Sequence, residues 1–350
     1  LSQELTIALD AMGGDHAPDM VLKGASIALV RFPQIRFKIF GQEARLKPLL
    51  DTLPQLKAAS SVIHAEDVVT GDAKPSAALR AMRRSSMRLA IDAVAAGEAD
   101  CVVSAGNTGA LMAIAKVVLK TMPGIDRPAI AAFLPTRRGE TVLLDLGANV
   151  ECDADNLIQF ALMGDAFARA VLGLTKPTIG LLNVGSEELK GVESVREAAT
   201  RLRAGIPGII FHGFVEGDDI AAGTVDVVVT DGFTGNIALK TLEGSVKLYS
   251  EFLRGAFRSS LLSKIGYLFA RPALNHLRER LDPRRYNGAM LLGLNGIVIK
   301  SHGGSDALGF ANAIGVGADL KINGFLERIR AELAALSALP PVTAEAVESA

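Results

Sequence analysis

The chain reads as an α/β protein: a mostly parallel sheet with helices on both faces. Three observations predict it. Short apolar runs lack the period-two alternation of a sheet with one wet face, so both faces are covered. Helical patterns separate the runs, as in the stripe Leu157, Phe160, Ala161, Met163, Gly164 and Phe167. Six runs end in a short loop of Gly, Asp, Asn, Ser or Thr that leads into a helix. A parallel sheet puts all strand C-termini on one edge, so these loops are expected to converge there. Free backbone N–H groups at the helix starts would then suit an anion.

The first run, Thr6–Leu9, leads into Asp10-Ala-Met-Gly-Gly-Asp-His16. The pair Gly13-Gly14 lets backbone approach a ligand or take positive φ, while Asp10, Asp15 and His16 bring polar groups to one turn. A plain tight turn is the alternative, with Asp15 capping the helix that Pro18 helps to start. The second run, Cys101–Val103, leads into Ser104-Ala-Gly-Asn-Thr-Gly109, where small residues would present the N–H groups of Gly106, Asn107, Thr108 and Gly109 to a phosphate. No Gly-x-Gly-x-x-Gly occurs in it, which counts against nicotinamide binding.

Val142–Leu144 is followed by Asp145-Leu-Gly-Ala-Asn149, and Ile179–Leu182 by Asn183-Val-Gly-Ser-Glu-Glu-Leu-Lys-Gly191. Lys190, with Glu187 beside it, reads as a single cation among otherwise acidic or neutral loops, and an ammonium is a suitable point charge for phosphate. Val225–Val229 precedes Asp231-Gly-Phe-Thr-Gly-Asn236, in which Gly232 and Gly235 keep the turn small. Asn236 is placed at the mouth of the next helix, as an oxyanion donor or as a cap. Asn149 carries the same pair of readings. Gly296–Ile299 leads into Lys300-Ser-His-Gly-Gly-Ser-Asp306, where His302, like His16, is able to move a proton or simply to hydrogen-bond.

A segment of different composition runs from Leu253 to Arg280, mixing Leu253, Phe257, Leu261, Ile265, Leu268 and Phe269 with Arg254, Arg258, Lys264, Arg271 and Arg278. Pro272 is expected to break its helix. Such a segment fits a membrane surface, a dimer interface, a core helix or a carrier-protein surface. Residues 1–335 read as one large α/β domain and residues 336–350 as a flexible tail.

Several classes are excluded or disfavoured. A formal charge of -1 without a long Lys/Arg block leaves no footprint for nucleic acid. No apolar run reaches the roughly 18 residues of a membrane span. Two cysteines cannot build a disulfide framework, and a cytoplasmic location is expected. Cys101 reads as a buried small hydrophobe, and Cys152 as a weak candidate nucleophile without a neighbouring base. Asp10, Asp145 and Asp231 are able in principle to hold a divalent metal, although each equally caps a helix or orients Lys190; no metal site is assigned.

Taken in order, these strings, with Lys74-Pro-Ser-Ala-Ala-Leu-Arg80, Val215-Glu-Gly217 and Leu292-Gly-Leu-Asn-Gly296, resemble the bacterial phosphate acyltransferase family, the PlsX-type acyl-acyl carrier protein:phosphate transacylases. The similarity runs from about Thr6 to about Asn323. The resemblance implies a fold like that of isocitrate and isopropylmalate dehydrogenases, related to phosphotransacetylases. It implies attack of inorganic phosphate on a long-chain acyl-acyl carrier protein, giving acyl phosphate for phospholipid synthesis. It further implies a homodimer without cofactor, in peripheral contact with the inner face of the cell membrane through 253–280, feeding an acyltransferase that uses acyl phosphate. Val192 and Phe214 stand where the family pattern commonly has Asn, so both are left out of the site.

The expected catalytic residues are Lys190 and Asn236. Asp10, Gly13, Gly14, Asp15, His16, Ser104, Gly106, Asn107, Thr108, Gly109, Asp145, Asn149, Glu187, Asp231, Gly232, Gly235 and His302 form the phosphate and substrate side. Lys190 and the N–H groups of Gly106 to Gly109 would hold phosphate beside the carbonyl, and Asn236 would hold the oxyanion. Competing readings are a short-chain phosphotransacetylase acting on acetyl-CoA, a dehydrogenase and an inactive scaffold that docks carrier protein.

Overall fold

The computed structural model describes residues 5–337. The first half contains β1 (Leu5–Asp10), α1 (Asp19–Arg31), β2 (Ile35–Gly41), α2 (Glu43–Asp51), α3 (Pro54–Ala58), β3 (Ser60–His64), α4 (Pro75–Ala81), α5 (Ser86–Ala95), β4 (Cys101–Ser104), α6 (Thr108–Leu119), β5 (Ala129–Thr136), β6 (Gly139–Leu144) and α7 (Ala154–Leu172). Then come β7 (Thr178–Leu182), α8 (Glu193–Arg203), β8 (Ile210–Val215), α9 (Gly217–Ala222), β9 (Val227–Val229), α10 (Gly232–Arg258), α11 (Leu261–Arg280), β10 (Ala289–Leu292), β11 (Ile297–Lys300), α12 (Ala307–Ile322) and α13 (Phe325–Ser337). All six apolar runs are strands. The expected tail at 336–350 lies outside the described residues from 338 onward.

The strands make one 11-stranded sheet in the order β3-β2-β1-β4-β11-β10-β5-β6-β9-β7-β8. Most neighbours are parallel, as expected, but β10 runs antiparallel to β11 and to β5, and β5 antiparallel to β6. Three successive reversals invert everything beyond them. The loops after β1, β4 and β11 therefore leave one edge of the sheet, and those after β6, β9 and β7 leave the opposite edge. The expectation of a single convergent edge is corrected here, because short antiparallel pairings in mid-sheet carry no signal in the loop motifs.

The two edges are nevertheless close. Lys300 pairs with Ala289, and the neighbouring pairs Met290↔Ala131 and Ala132↔Leu143 carry that level across to β6. Asp145 lies only two residues past Leu143, a height difference of about 7 Å at the rise of a strand. Short strands turn opposite edges into near neighbours.

Side chains alternate between two apolar layers. Leu9, Val103 and Ile299 pack with α1, α7 and α12, whereas Ala8, Val102, Val298, Leu143 and Val228 pack with α5 and α6 on the other face. Asp10, Ser104 and Lys300 each follow by one residue a member of the first layer, so strand parity turns all three toward the second face. Ala238, Leu239 and Leu242 of α10 close that same face. On the first face, Phe167 of α7 stacks on Phe133 of β5 at 5.0 Å and meets Phe325 of α13 edge-on at 5.9 Å.

Beyond its first turns, α10 leaves the core. It forms a hairpin with α11, joined through Ser260, whose hydroxyl caps α11 by accepting the Ser263 N–H. The segment 253–280 is thus two helices rather than one, and the chain turns at Ser259-Ser260. Pro272 sits inside α11 without ending it, contrary to expectation. Phe257 and Tyr267 pack edge-on at 5.5 Å between the two helices, and no residue of α11 is buried.

Candidate active site

On the edge formed by β1, β4 and β11, three loops are stitched together. Ser301 N–H donates to the Ser104 carbonyl, and Asp15 N–H donates to the Gly303 carbonyl. Asp10, Ser104 and Lys300 stand side by side in register on adjacent strands. The Asp10 carboxylate is 1% exposed and accepts from Ser86 Oγ at 2.6 Å and Ser104 Oγ at 2.7 Å. Burial raises its pKa, against the lowering effect of the two hydroxyls, the Met12 N–H and the charge of Lys300. Gly13 is needed here, since a Cβ would lie 2.5 Å from Asp10 Oδ2 and 2.7 Å from the Gly106 nitrogen.

The phosphate-loop expectation is partly revised at this edge. Gly106 N–H already donates to Ser104 Oγ at 3.0 Å, so it is not a free donor. Asn107 caps α6 by accepting the Ala110 N–H, and its amide donates to the Gly71 and Ala73 carbonyls. Thr108 and Gly109 keep the unpaired N–H groups of a helix start. Gly14 takes φ +106° at the turn. Asp15 does not cap α1, whose N-cap is Pro18 without a side-chain bond. His16 is exposed, and its carbonyl accepts from Met20 N–H. His302 is also exposed; its Nδ1 accepts the Gly304 N–H, and its own N–H is fixed by Asn287 Oδ1.

On the opposite edge, Asp145 gathers the N–H groups of Ile130, Gly147, Ala148 and Asn149 and the Asn149 amide. Burial raises the Asp145 pKa while these donors lower it. Asn149 is spent on this cage and on the Pro128 carbonyl. It caps no helix, because α7 starts at an Asp153 capping box. Asp231 is the N-cap of α10, accepting from Thr234 N–H at 2.8 Å and Thr234 Oγ1 at 2.7 Å. Gly232 N–H donates to the Asn149 carbonyl, which locks the two loops together.

Asn236 lies inside the first turns of α10 rather than at its mouth. It is exposed and faces Gly147, and its amide makes no hydrogen bond among the described residues. Leu146 and Ala148 pack into the apolar layer shared with α5 and α6. The helix that carries Asn236 therefore starts on the face that carries Asp10, Ser104 and Lys300. Asp10 sits five strand positions from β6, about 24 Å across the sheet, so it cannot join Asp145 and Asp231 around one metal. Among the described residues, no group of three or more His, Cys, Asp or Glu is placed to hold a metal ion.

Lys190 leaves the same edge as Asn236, from β7 next to β9. Its N–H donates to the Glu187 carbonyl, and Glu187 folds over Gly185 to close the turn. The Lys190 ammonium is exposed and forms no ion pair among the described residues. No contact joins it to the Ser104 turn, which lies across the sheet.

Lys300 is the residue that sequence reasoning passed over. It closes β11 in line with the buried Val298, and that parity was the available signal. Lys190 is thus not the single cation of the sheet-edge loops. Burial pushes the Lys300 pKa down to about 8, against the raising effect of Asp10 and Asp15, and Lys240 of α10 adds to the lowering. Lys240 stands one helical turn beyond Asn236.

The comparisons with known proteins fall on this arrangement. The family described as "Fatty acid synthesis protein" matches residues 5–328. A phosphate acyltransferase of Rhodospirillum centenum is 66% identical over 100% of this chain and 98% of its own length. The chain belongs to the phosphate acyltransferase family. A second relative of that name, from Paramagnetospirillum magneticum, is 60% identical over 95% of each chain. Among solved structures, a phosphotransacetylase from Streptococcus pyogenes matches with TM-score 0.61 and 20% identity over 92% of this chain and 95% of its own. A branched-chain phosphotransacylase from Enterococcus faecalis gives 0.60 and 16% over 90% and 98%. These structures share the fold, as the resemblance implied, and the family carries the expectation of an enzyme.

Cys152 borders the site, its thiol directed to the Asn149 carbonyl. Burial, with Asp145 and Asp231 nearby, pushes its pKa up to about 12. A thiol held so far from its anion is a poor nucleophile. Cys152→Ser is expected to leave the rate of phosphate-dependent thiol release within about twofold, the spread of a surface-type substitution, with no acylated protein trapped when phosphate is omitted.

Proposed function

We propose that the chain transfers a long-chain acyl group from acyl carrier protein to inorganic phosphate, releasing acyl phosphate and free carrier protein as a first step toward membrane phospholipids. The observation that carries this reading is the unpaired Asn236 amide, beside the Asp145 cage, in a chain of the phosphate acyltransferase family. Phosphate is partly a dianion at neutral pH and needs no strong base. An amide donor meets the oxygen that becomes negative when phosphate adds to the thioester carbonyl. Lys190 supplies a cation on the same edge. The test is a panel of thioesters: palmitoyl-acyl carrier protein is expected to turn over with phosphate far faster than acetyl-CoA. The reverse preference would make the chain a short-chain phosphotransacetylase.

The α10–α11 hairpin supports contact with a membrane surface. Leu261, Leu262 and Phe269 are each about four-fifths exposed. Five cations and no carboxylate lie between Phe252 and Arg278. An apolar tip among cations suits anionic lipid headgroups. No helix among the described residues is long and apolar enough to cross a membrane. Leu262→Glu with Phe269→Glu is expected to abolish flotation with anionic liposomes while sparing activity on soluble substrate; unchanged flotation would remove the hairpin from this role. The homodimer and the acyltransferase that takes up acyl phosphate belong to the same reading, and both are assayed by co-sedimentation.

A further inference from the structure

Lys300 presents a part-buried ammonium without a carboxylate partner among the described residues. Both Asp10 oxygens are taken by Ser86 and Ser104 hydroxyls, and Ser104 is itself fixed by the Gly106 N–H. Lys300 forms no ion pair among the described residues, and its one hydrogen bond runs from Nζ to the Ser301 carbonyl. Two ammonium protons remain unassigned. A donor drawn out of water in this state is costly in proportion to its burial unless something else completes it. The side chain lies on the sheet face that α10 closes, within electrostatic range of Lys240, one turn beyond Asn236.

The surrounding charge says which reactant fits. Asp10 and Asp15 both act on Lys300, so a phosphate dianion placed against its ammonium would meet two carboxylates, with Lys240 the one further cation acting there. A thioester sulfur is neutral until its bond breaks, and is not repelled. It then needs a proton.

We propose that Lys300 is the general acid of the transfer, giving a proton from Nζ to the thiol sulfur as it departs. This rests on the acyl-transfer reading above. A phosphate oxygen bonds to the acyl carbon, the carbon–sulfur bond breaks with its electron pair on sulfur, and sulfur takes the ammonium proton. The neutral amine recovers a proton, through water, from the one that hydrogen phosphate loses, so the reaction balances without another reactant. A general acid serves best with a pKa near the operating pH, and an ordinary thiol titrates near 8.5. Lys300, held at about 8, meets that condition. Ser104 and Asp10 are positioning residues, holding the end of β4 beside it.

The test compares wild-type chain and Lys300→Met on two palmitoyl thioesters with phosphate. One carries the alkyl thiol of the pantetheine arm, the other an aryl thiol acidic enough to leave as its anion. The variant is expected to lose about 10²–10⁴-fold in kcat on the alkyl thioester, the usual worth of a general acid, with a far smaller loss on the aryl thioester and an unchanged KM for phosphate. Equal losses on both would overturn the proposal, because a structural defect does not sense the leaving group. Should Lys300→Met fail to fold, the wild-type chain alone decides: a solvent deuterium effect on kcat is expected with the alkyl thioester and not with the aryl one. The same effect with both, or with neither, would overturn it. Wild-type chain inert toward every thioester would instead overturn the acyl-transfer reading and this inference with it.

Discussion

Asn236→Ala is expected to lower kcat by roughly 10²–10³-fold, or about 2–4 kcal/mol of barrier, the range seen when one oxyanion donor is removed. The side chain is suited to such a loss because it has no structural duty to confuse the result. Its amide bonds to nothing among the described residues, and its nearest atom lies 3.7 Å from where a Cβ on Gly147 would stand. The helix start is secured by Asp231 and Thr234 instead. The thermal transition should therefore stay within a degree or two of wild type while turnover falls. Asn236→Asp should fall further, since a carboxylate repels the developing oxyanion. Lys190→Ala should act differently, raising the KM for phosphate more than it lowers kcat, because its ammonium would bind phosphate before and during attack. Full turnover by Asn236→Ala would remove this amide from the chemistry.

Gly235→Ala is expected to be the most destabilising single methyl in this part of the chain. A Cβ there collides with the Asp145 carbonyl oxygen and stands 2.9 Å from Thr230 Cγ2. The obstructing atoms are mostly backbone of the Asp145 cage, which five donors hold in place, so neither side yields cheaply. A cost of about 3 kcal/mol or more is expected, at the upper end for overpacking, read as a lowered midpoint in denaturant. Gly244→Ala is the control, for it lies in the same helix with nothing within 4 Å of a new Cβ. It should stabilise by about 0.5–1 kcal/mol through helix propensity alone. Equal effects at the two positions would mean that the first turn of α10 is not locked to the Asp145 loop.

The strands and loops were legible because each carries a local signal: an uninterrupted apolar run, then Gly with Asp, Asn or Ser. Both-face burial was read correctly from the missing alternation at Cys101–Val103 and Ile297–Ile299. The inversion of half the sheet was not legible, because β5, β6 and β10 set strand direction by long-range pairing, and Ala129–Thr136 looks like any other apolar strand. For the same reason the loops were expected on one edge. Residue roles divided along a similar line. Asp231 reads from sequence as a ligand or a cap and Asn107 as a phosphate donor, and the hydrogen bonds make both of them caps. Asn149 belongs to the Asp145 cage, and Gly106 N–H is spent on Ser104. Lys300 escaped notice since its loop was read for His302, whereas its meaning comes from strand parity. Pro272 reads from sequence as a helix breaker, yet α11 continues through it on an exposed hairpin.

The most direct test is to mix the chain with palmitoyl-acyl carrier protein, with and without inorganic phosphate, and to trap the acyl product with hydroxylamine. Thiol release that requires phosphate, matched mole for mole by trapped acyl phosphate and lost in Asn236→Ala, is the predicted result. Thiol release that proceeds equally without phosphate, or an acylated protein in place of acyl phosphate, would contradict direct attack by phosphate at this site.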